Sequence, residues 1–346
     1  MKLHKRRLAG LAALTLVASM GLSACGSDDD SGDGGGGGGD DAVSITMLPK
    51  NLGNPYFDTS TAGAETAAEE LGTSVEEVGP DAASPDAQVP FINTAAQQGV
   101  GALIVSANDP TAICDALNEA RDTGTKVVTF DSDTDPECRD LFINQATAEG
   151  IAAVQLEMIA EQIGGSGEIA ILSAAANATN QNAWIEMMEA ELSSNPDYAD
   201  MELVDTVYGD DDDQKSFDQT AALLSSHPNL KGIISPTTVG IAAAARYLSD
   251  SDKKGKVMLT GLGTPNQMRE YVKDGTVTAF ALWNPEDLGY LATYAANALA
   301  SEEITGEPGD TFEAGELGEY TVEDDGSVLL GDPFVFDADN IDDFDF

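Results

Sequence analysis

The chain is poor in the groups that most enzymes and nucleic-acid binders use. It holds two histidines, and only His227 lies beyond its N-terminal apolar stretch. A serine hydrolase needs a base beside its nucleophile, and neither a Gly-x-Ser-x-Gly elbow nor a dinucleotide fingerprint follows any predicted strand. Carboxylates abound by composition, so pairs of them signify little, and no enzyme is expected. Basic residues are scarce, 16 against 61 acidic ones, for a net charge of −45. Such a surface repels a polyanion, which excludes nucleic acid as a partner. With only His227 beyond the apolar stretch to help, a metal site is an unfavoured reading, and no cofactor is expected. Asp131, Asp133 and Asp135 are spaced like the start of a calcium loop, but Pro136 and Phe142 fall where that loop needs Gly and Glu.

The first residues point to export. Lys2, Lys5, Arg6 and Arg7 precede an apolar run over residues 8–22, which is short and Ala/Gly-rich for a membrane span. Leu22-Ser23-Ala24-Cys25 closes it and resembles a bacterial lipoprotein cleavage site, where the cysteine carries the lipid. An ordinary leader with an incidental cysteine is the plainer alternative. Residues 26–41 are almost only Gly, Asp and Ser, a composition that cannot bury apolar surface and reads as a tether. Once the leader is removed, 12 basic residues face 61 acidic ones, a charge near −49 that suggests a surface adapted to high salt. In an exported chain the remaining pair, Cys114 and Cys138, favours a disulfide over two free thiols.

Beyond the tether, apolar runs alternate with helical patterns. Strands are predicted over residues 44–48, 74–78, 102–106 and 126–130, with helices over 56–71, 87–98 and 110–122. The rhythm repeats with strands at 168–172, 203–207, 232–235, 256–260 and 277–282. Helices fall at 147–163, 182–192, 213–226, 239–248, 265–273 and 286–301, and the remainder is irregular with short strands and many acids. Continuous apolar strands, each followed by a helix, indicate parallel sheets covered on both faces. The fold class is therefore α/β, with two successive doubly wound sheets, two lobes and a cleft between them.

Ligands of open α/β sheets sit at the carboxyl ends of the strands. The segments there are Pro49-Lys50-Asn51-Leu52-Gly53-Asn54-Pro55-Tyr56-Phe57, Asp131-Ser132-Asp133, Asn177 to Asn182 with Trp184, Pro236-Thr237-Thr238, Gly261-Leu262-Gly263-Thr264 and Trp283-Asn284. All are polar, amide-rich or aromatic. Planar Asp, Asn and Gln groups pair with adjacent hydroxyls and aromatic faces cover C–H faces, so the set suits a polyol. Singly, the Asn and Asp residues are also ordinary turn and cap residues and the aromatics ordinary core. The acidic run 209–213 reads as a solvated helix start.

The segment from Pro49 to Phe57, with Ile104-Val105-Ser106-Ala107-Asn108-Asp109-Pro110, Thr179-Asn180-Gln181-Asn182-Ala183-Trp184, Pro236-Thr237-Thr238-Val239-Gly240-Ile241 and Leu282-Trp283-Asn284-Pro285, resembles the rhamnose-binding proteins of ABC importers. Those are type I, ribose-binding-like periplasmic binding proteins. Asp131-Ser132-Asp133-Thr134, Pro136-Glu137-Cys138-Arg139 and Asp339-Asn340-Ile341-Asp342 resemble the related autoinducer-2 binders. The resemblance runs from about Ser44 to the C-terminus. It implies a three-crossing hinge, expected near Asn144, Trp283 and Glu303. Residues 43–144 plus 284–303 then form the N-terminal lobe and 145–283 plus 304–346 the C-terminal lobe, after a leader at 1–24 and a tether at 25–42. It implies ligand contacts from Lys50, Asn51, Tyr56, Phe57, Asp131, Asn180, Gln181, Trp184, Pro236, Thr238, Gly263 and Trp283. Where autoinducer-2 binders carry Asp-Gln and Pro-x-Ala, this chain has Asn180-Gln181 and Pro236-Thr237-Thr238, the rhamnose pattern.

The activity implied is capture of a monosaccharide, rhamnose first, by clamp closure outside the cell. Autoinducer-2 or another pentose or hexose is the alternative. The implied partners are an ABC importer permease and, through lipid on Cys25, the outer face of the cell membrane, with the protein a monomer. A sugar-responsive repressor shares this fold but needs a DNA-binding headpiece where this chain has a leader. A sensory binding protein would use the same clamp.

Overall fold

The computed structural model describes residues 42–346. Residues 1–41, which carry the expected leader, Cys25 and nearly all of the tether, lie outside them. Among the described residues no helix is long and apolar enough to cross a membrane.

The chain begins as β1 (Ser44–Leu48), α1 (Pro55–Leu71), β2 (Ser74–Glu77), α2 (Pro85–Gln98), β3 (Ala102–Val105), α3 (Cys114–Asp122), β4 (Lys126–Phe130) and β5 (Leu141–Asn144). These strands pair in parallel in the order β5-β4-β3-β1-β2. Every residue of β3 is buried, as are the last four of β1 and β4, because helices cover both faces. Burying one such Val, Ile or Phe contributes about 1.5–3 kcal/mol. The order reverses between β1 and β3, which opens a crevice at their carboxyl ends.

The chain continues through α4 (Ala148–Ile163), β6 (Gly167–Ser173), α5 (Thr179–Ser194), β7 (Met201–Tyr208), α6 (Asp213–Ser226), β8 (Leu230–Ser235), α7 (Thr238–Ser249), β9 (Met258–Gly261), α8 (Pro265–Lys273) and β10 (Ala279–Leu282). The second sheet is parallel in the order β7-β6-β8-β9, with its reversal between β6 and β8. A bridge from Leu262 to Ala281 brings β10 alongside β9. The last helix, α9 (Pro285–Ala300), returns to pack on α1. It is followed by β11 (Thr311–Glu313), β12 (Glu319–Thr321), β13 (Ser327–Leu329) and β14 (Phe334–Asp337).

The α1–α9 crossing explains two glycines. A Cβ at Gly63 would meet the Glu286 carbonyl oxygen at 1.9 Å, and one at Gly289 would meet that of Ser60 at 1.8 Å. Only hydrogen at both positions lets the two backbones approach this closely.

The expected α/β class with a doubly wound parallel sheet in each lobe is borne out, and β14 adds one antiparallel partner to β10 beside the second sheet. Two expectations are corrected. Residues 304–346 do not all belong with the second sheet: β13 pairs with β5 at the edge of the first, and only β14 joins the second, antiparallel to β10. Arg139 holds that return in place, donating to the carbonyls of Gly326 at 2.9 Å and Asp325 at 3.3 Å. The third crossing therefore lies between Leu329 and Phe334, not near Glu303. Finally, α3 starts at Cys114 rather than at residue 110, because Asp109 Oδ1 accepts from the amides of Thr111 and Ala112 and forms a turn there. The Cys114 and Cys138 sulfurs are bonded to each other and tie α3 to the turn before β5.

Candidate functional site

The two crevices face each other across one cavity of about 350 Å³, counted with its mouth. Lys50 enters from the turn after β1. Tyr56 and Phe57 occupy the first turn of α1, whose start is set by Pro55 and by Asn54 Oδ1 accepting from the Tyr56 amide at 3.1 Å. Asp131 follows β4. From the second lobe come Gln181 and Trp184 on α5, Pro236 and Thr237 between β8 and α7, and Thr238 at the start of α7. Trp283 follows β10 at the second crossing.

Lys50 is the hub. It is 3 % exposed, and its Nζ donates across the cleft to Asn180 Oδ1 at 2.9 Å and to Gln181 Oε1 at 3.3 Å. It also stands 4.0 Å from Asp131 Oδ2, which accepts from Ser106 Oγ at 2.8 Å. Asn180 Nδ2 reaches the Asp131 carbonyl at 3.3 Å and Asn177 Nδ2 that of Asn108 at 3.2 Å. These contacts join groups of the two sheets directly, so the lobes stand closed.

Asp131 has φ of 60°, a left-handed conformation uncommon for a residue with a Cβ. Gln145 Nε2 bonds its carbonyl at 3.0 Å and helps to hold it. Burial pushes the Asp131 carboxyl above its usual range, opposed first by Lys50 and then by the Ser106 hydroxyl. Burial pushes the Tyr56 phenol well up, and the Asp131 charge adds to this.

The aromatic walls are edge-to-face. Trp283 lies 6.1 Å from both Tyr56 and Trp184, centroid to centroid, and its Nε1 donates to Tyr56 Oη at 2.8 Å. Phe57 packs on Tyr56 at 5.1 Å and on Phe130 at 6.0 Å. Such pairs fix each other's orientation and leave apolar faces for a ligand.

Of the residues predicted for the site, Lys50, Tyr56, Phe57, Asp131, Gln181, Trp184, Pro236, Thr238 and Trp283 line this cavity. Asn180 lies behind Lys50 and orients it. Asn51 and Gly263 are not part of the lining. The Asn51 amide turns back to the Leu52 carbonyl at 3.3 Å. Gly263 sits among Met268, Ile241 and Phe280, and Leu262 takes its expected place at the cavity.

The acidic run 209–213 is also corrected. Asp212 caps α6, as a helix start would, but Asp211 lines the cavity and accepts from Thr237 Oγ1. Positive φ at Asp210 and Asp211, 56° and 51°, turns the chain to bring it there. Burial pushes its carboxyl up against the pull of Lys50. Asn54, Thr237 and Leu282 also line the cavity without having been singled out. The three carboxylates of the calcium-like spacing have separate partners: Asp131 faces the cleft, Asp133 pairs with Arg139 at 2.8 Å, and Asp135 accepts from the Glu137 amide.

Residues 45–304 match the model of the periplasmic binding protein domain. The chain belongs to this family, whose members bind solutes and are not enzymes. Three solved structures are similar over nearly its whole described length. A sugar ABC transporter from Actinomyces odontolyticus is 57 % identical, covering 88 % of this chain and 98 % of that one, with a TM-score of 0.72. An ABC transporter solute-binding protein from Clostridium phytofermentans with bound L-rhamnose is 38 % identical, covering 87 % and 98 %, with a TM-score of 0.84. LsrB from Clostridium saccharobutylicum in complex with AI-2 is 28 % identical, covering 88 % and 100 %, with a TM-score of 0.83.

Proposed function

We propose that this protein captures a neutral monosaccharide, L-rhamnose first, for an ABC importer, and that the two lobes close over it as a clamp. The observation that carries this is one cavity in which Lys50, oriented by Asn180, and Asp131 from the first lobe meet Gln181, Asp211 and Thr238 from the second, between walls of Tyr56, Phe57, Trp184 and Trp283. Fixed donors and acceptors on two sides match the several hydroxyls of a sugar ring, and the aromatic faces match its C–H face. Two carboxylates against one lysine disfavour an anionic ligand. The ligand bridges the lobes and selects the closed form by its differential affinity.

The resemblance to the rhamnose-bound protein of Clostridium phytofermentans supports the sugar. A second reading, autoinducer-2, is favoured by Lys50 and Asp131 and by the similarity to LsrB. It is opposed by Asn180, which lacks a charged acceptor, and by Thr238, which adds bulk. Lipid on Cys25 keeps the monomeric clamp near its permease and raises its effective concentration there.

A thermal-shift panel of rhamnose, ribose, allose, arabinose, a uronic acid and autoinducer-2 tests the reading. The account expects the largest rise in Tm with rhamnose and none with the uronic acid. The largest rise with autoinducer-2 would move the protein to signal uptake, and a rise only with the uronic acid would refute a neutral ligand.

A further inference from the structure

A second pocket, of about 610 Å³ with its mouth, is built from all three crossings. Gln145 comes from the first crossing, Trp283 from the second, and Asp332 and Phe334 from the third. Tyr320 of β12 and Asp287 of α9 complete the lining that matters here. It meets the sugar cleft at one residue, Trp283, which lines both.

The lining has a distinct chemistry. Three of its ten residues are aromatic in a chain that is 6 % aromatic, so it is not a sample of the ordinary surface. Two carboxylates line it and no Lys, Arg or His does. Neither Asp287 nor Asp332 has a cationic partner within 4.0 Å among the described residues. Gln145 is 1 % exposed; its Nε2 is taken by the Asp131 carbonyl, while its Oε1 has no partner. A buried amide oxygen without a donor is costly and calls for one.

We propose that this hinge pocket binds a small organic ammonium cation. The aromatic faces supply cation–π attraction, Asp287 and Asp332 supply the opposite charge, and Gln145 Oε1 supplies an acceptor for an N–H or a polarised C–H. Phe334, 51 % exposed at the mouth, is the flap over such a guest. Burial pushes the Asp287 carboxyl up, with Asn284 opposing, and a cation beside it reverses that push.

The probe is tetramethylammonium chloride, titrated calorimetrically into the full chain at constant chloride, with sodium chloride as the blank. The proposal expects saturable one-to-one binding that weakens about tenfold in Asp287→Asn and in Phe334→Ala, and is unchanged in Asp211→Asn. Phe334 is exposed at an edge, so its variant remains folded if the Asp287 variant does not. No saturable binding, equal binding of sodium, or loss in Asp211→Asn with none in Asp287→Asn would each overturn it. The last result would put the cation in the sugar cleft. None of these outcomes depends on which sugar the cleft takes.

Discussion

Lys50→Met keeps the length of the side chain and removes its charge. The variant loses the 2.9 Å and 3.3 Å hydrogen bonds to Asn180 and Gln181, which tie the lobes together, and leaves Asp131 buried without a cation. A hydrogen bond from a charged donor contributes about 1.5–3 kcal/mol. The 3.3 Å bond is the weaker, so the pair is worth about 3 kcal/mol to the closed form. The loss falls on the closed form and not on the open one, so it enters the binding constant directly, as a rise of about 100-fold in Kd. The pH dependence changes too. A carboxyl whose folded-state pKa stands above its unfolded value adds stability below the unfolded value and loses it as pH rises through the folded one. Asp131 is such a group, raised from 3.8 by burial, and Lys50 is the main opposing influence. Without Lys50 the folded value climbs further. The variant's Tm then keeps falling with rising pH after that of the unaltered protein has levelled. Calorimetry with rhamnose and Tm profiles between about pH 4 and pH 8 measure both effects. A Kd within about twofold of the unaltered protein, with parallel Tm profiles, would refute the role given to Lys50.

Three further outcomes are expected. Replacing Cys114 and Cys138 by Ala opens a loop with a sequence separation of 24, and urea unfolding should show a loss of about 3 kcal/mol; an unchanged midpoint would contradict this. Gly289→Ala sets a methyl against the Ser60 carbonyl at the α1–α9 crossing, so Tm should fall by more than for a surface Gly→Ala change, and an equal Tm would show that the helices part freely. Asp211→Asn removes one negative charge from the cavity and should let a uronic acid bind measurably by calorimetry, with rhamnose weakened by less than about tenfold; continued exclusion of the acid would locate the charge barrier elsewhere.

The alternation of strands and helices was legible because the buried strands are continuous apolar runs and the helices carry clear starts. Lys126–Phe130, Asp213–Ser226 and Pro265–Lys273 begin and end where their patterns do. What escaped were the strand Leu141–Asn144 and the distant partners of the short C-terminal strands. Leu141–Asn144 alternates buried and half-buried residues without a long apolar run, and Ser327–Leu329 has only three residues. The fate of the latter depends on Arg139, almost 190 positions earlier, which no local pattern reveals. The cavity was legible as the loops that follow strands, since the order reversal puts those loops together. Orientation within a loop was not. Asn51 and Gly263 sit one residue from lining groups and face away, while Asp211 reaches the cavity only because two residues take positive φ.

The most direct test of the account is calorimetric titration of the full chain with L-rhamnose, beside Asp131→Ala and Asn180→Ala. The account predicts saturable one-to-one binding that is lost when Asp131 is removed and weakened when Asn180 no longer orients Lys50. Absence of binding to any neutral sugar, or rhamnose binding that survives both substitutions unchanged, would contradict a sugar held between these two lobes.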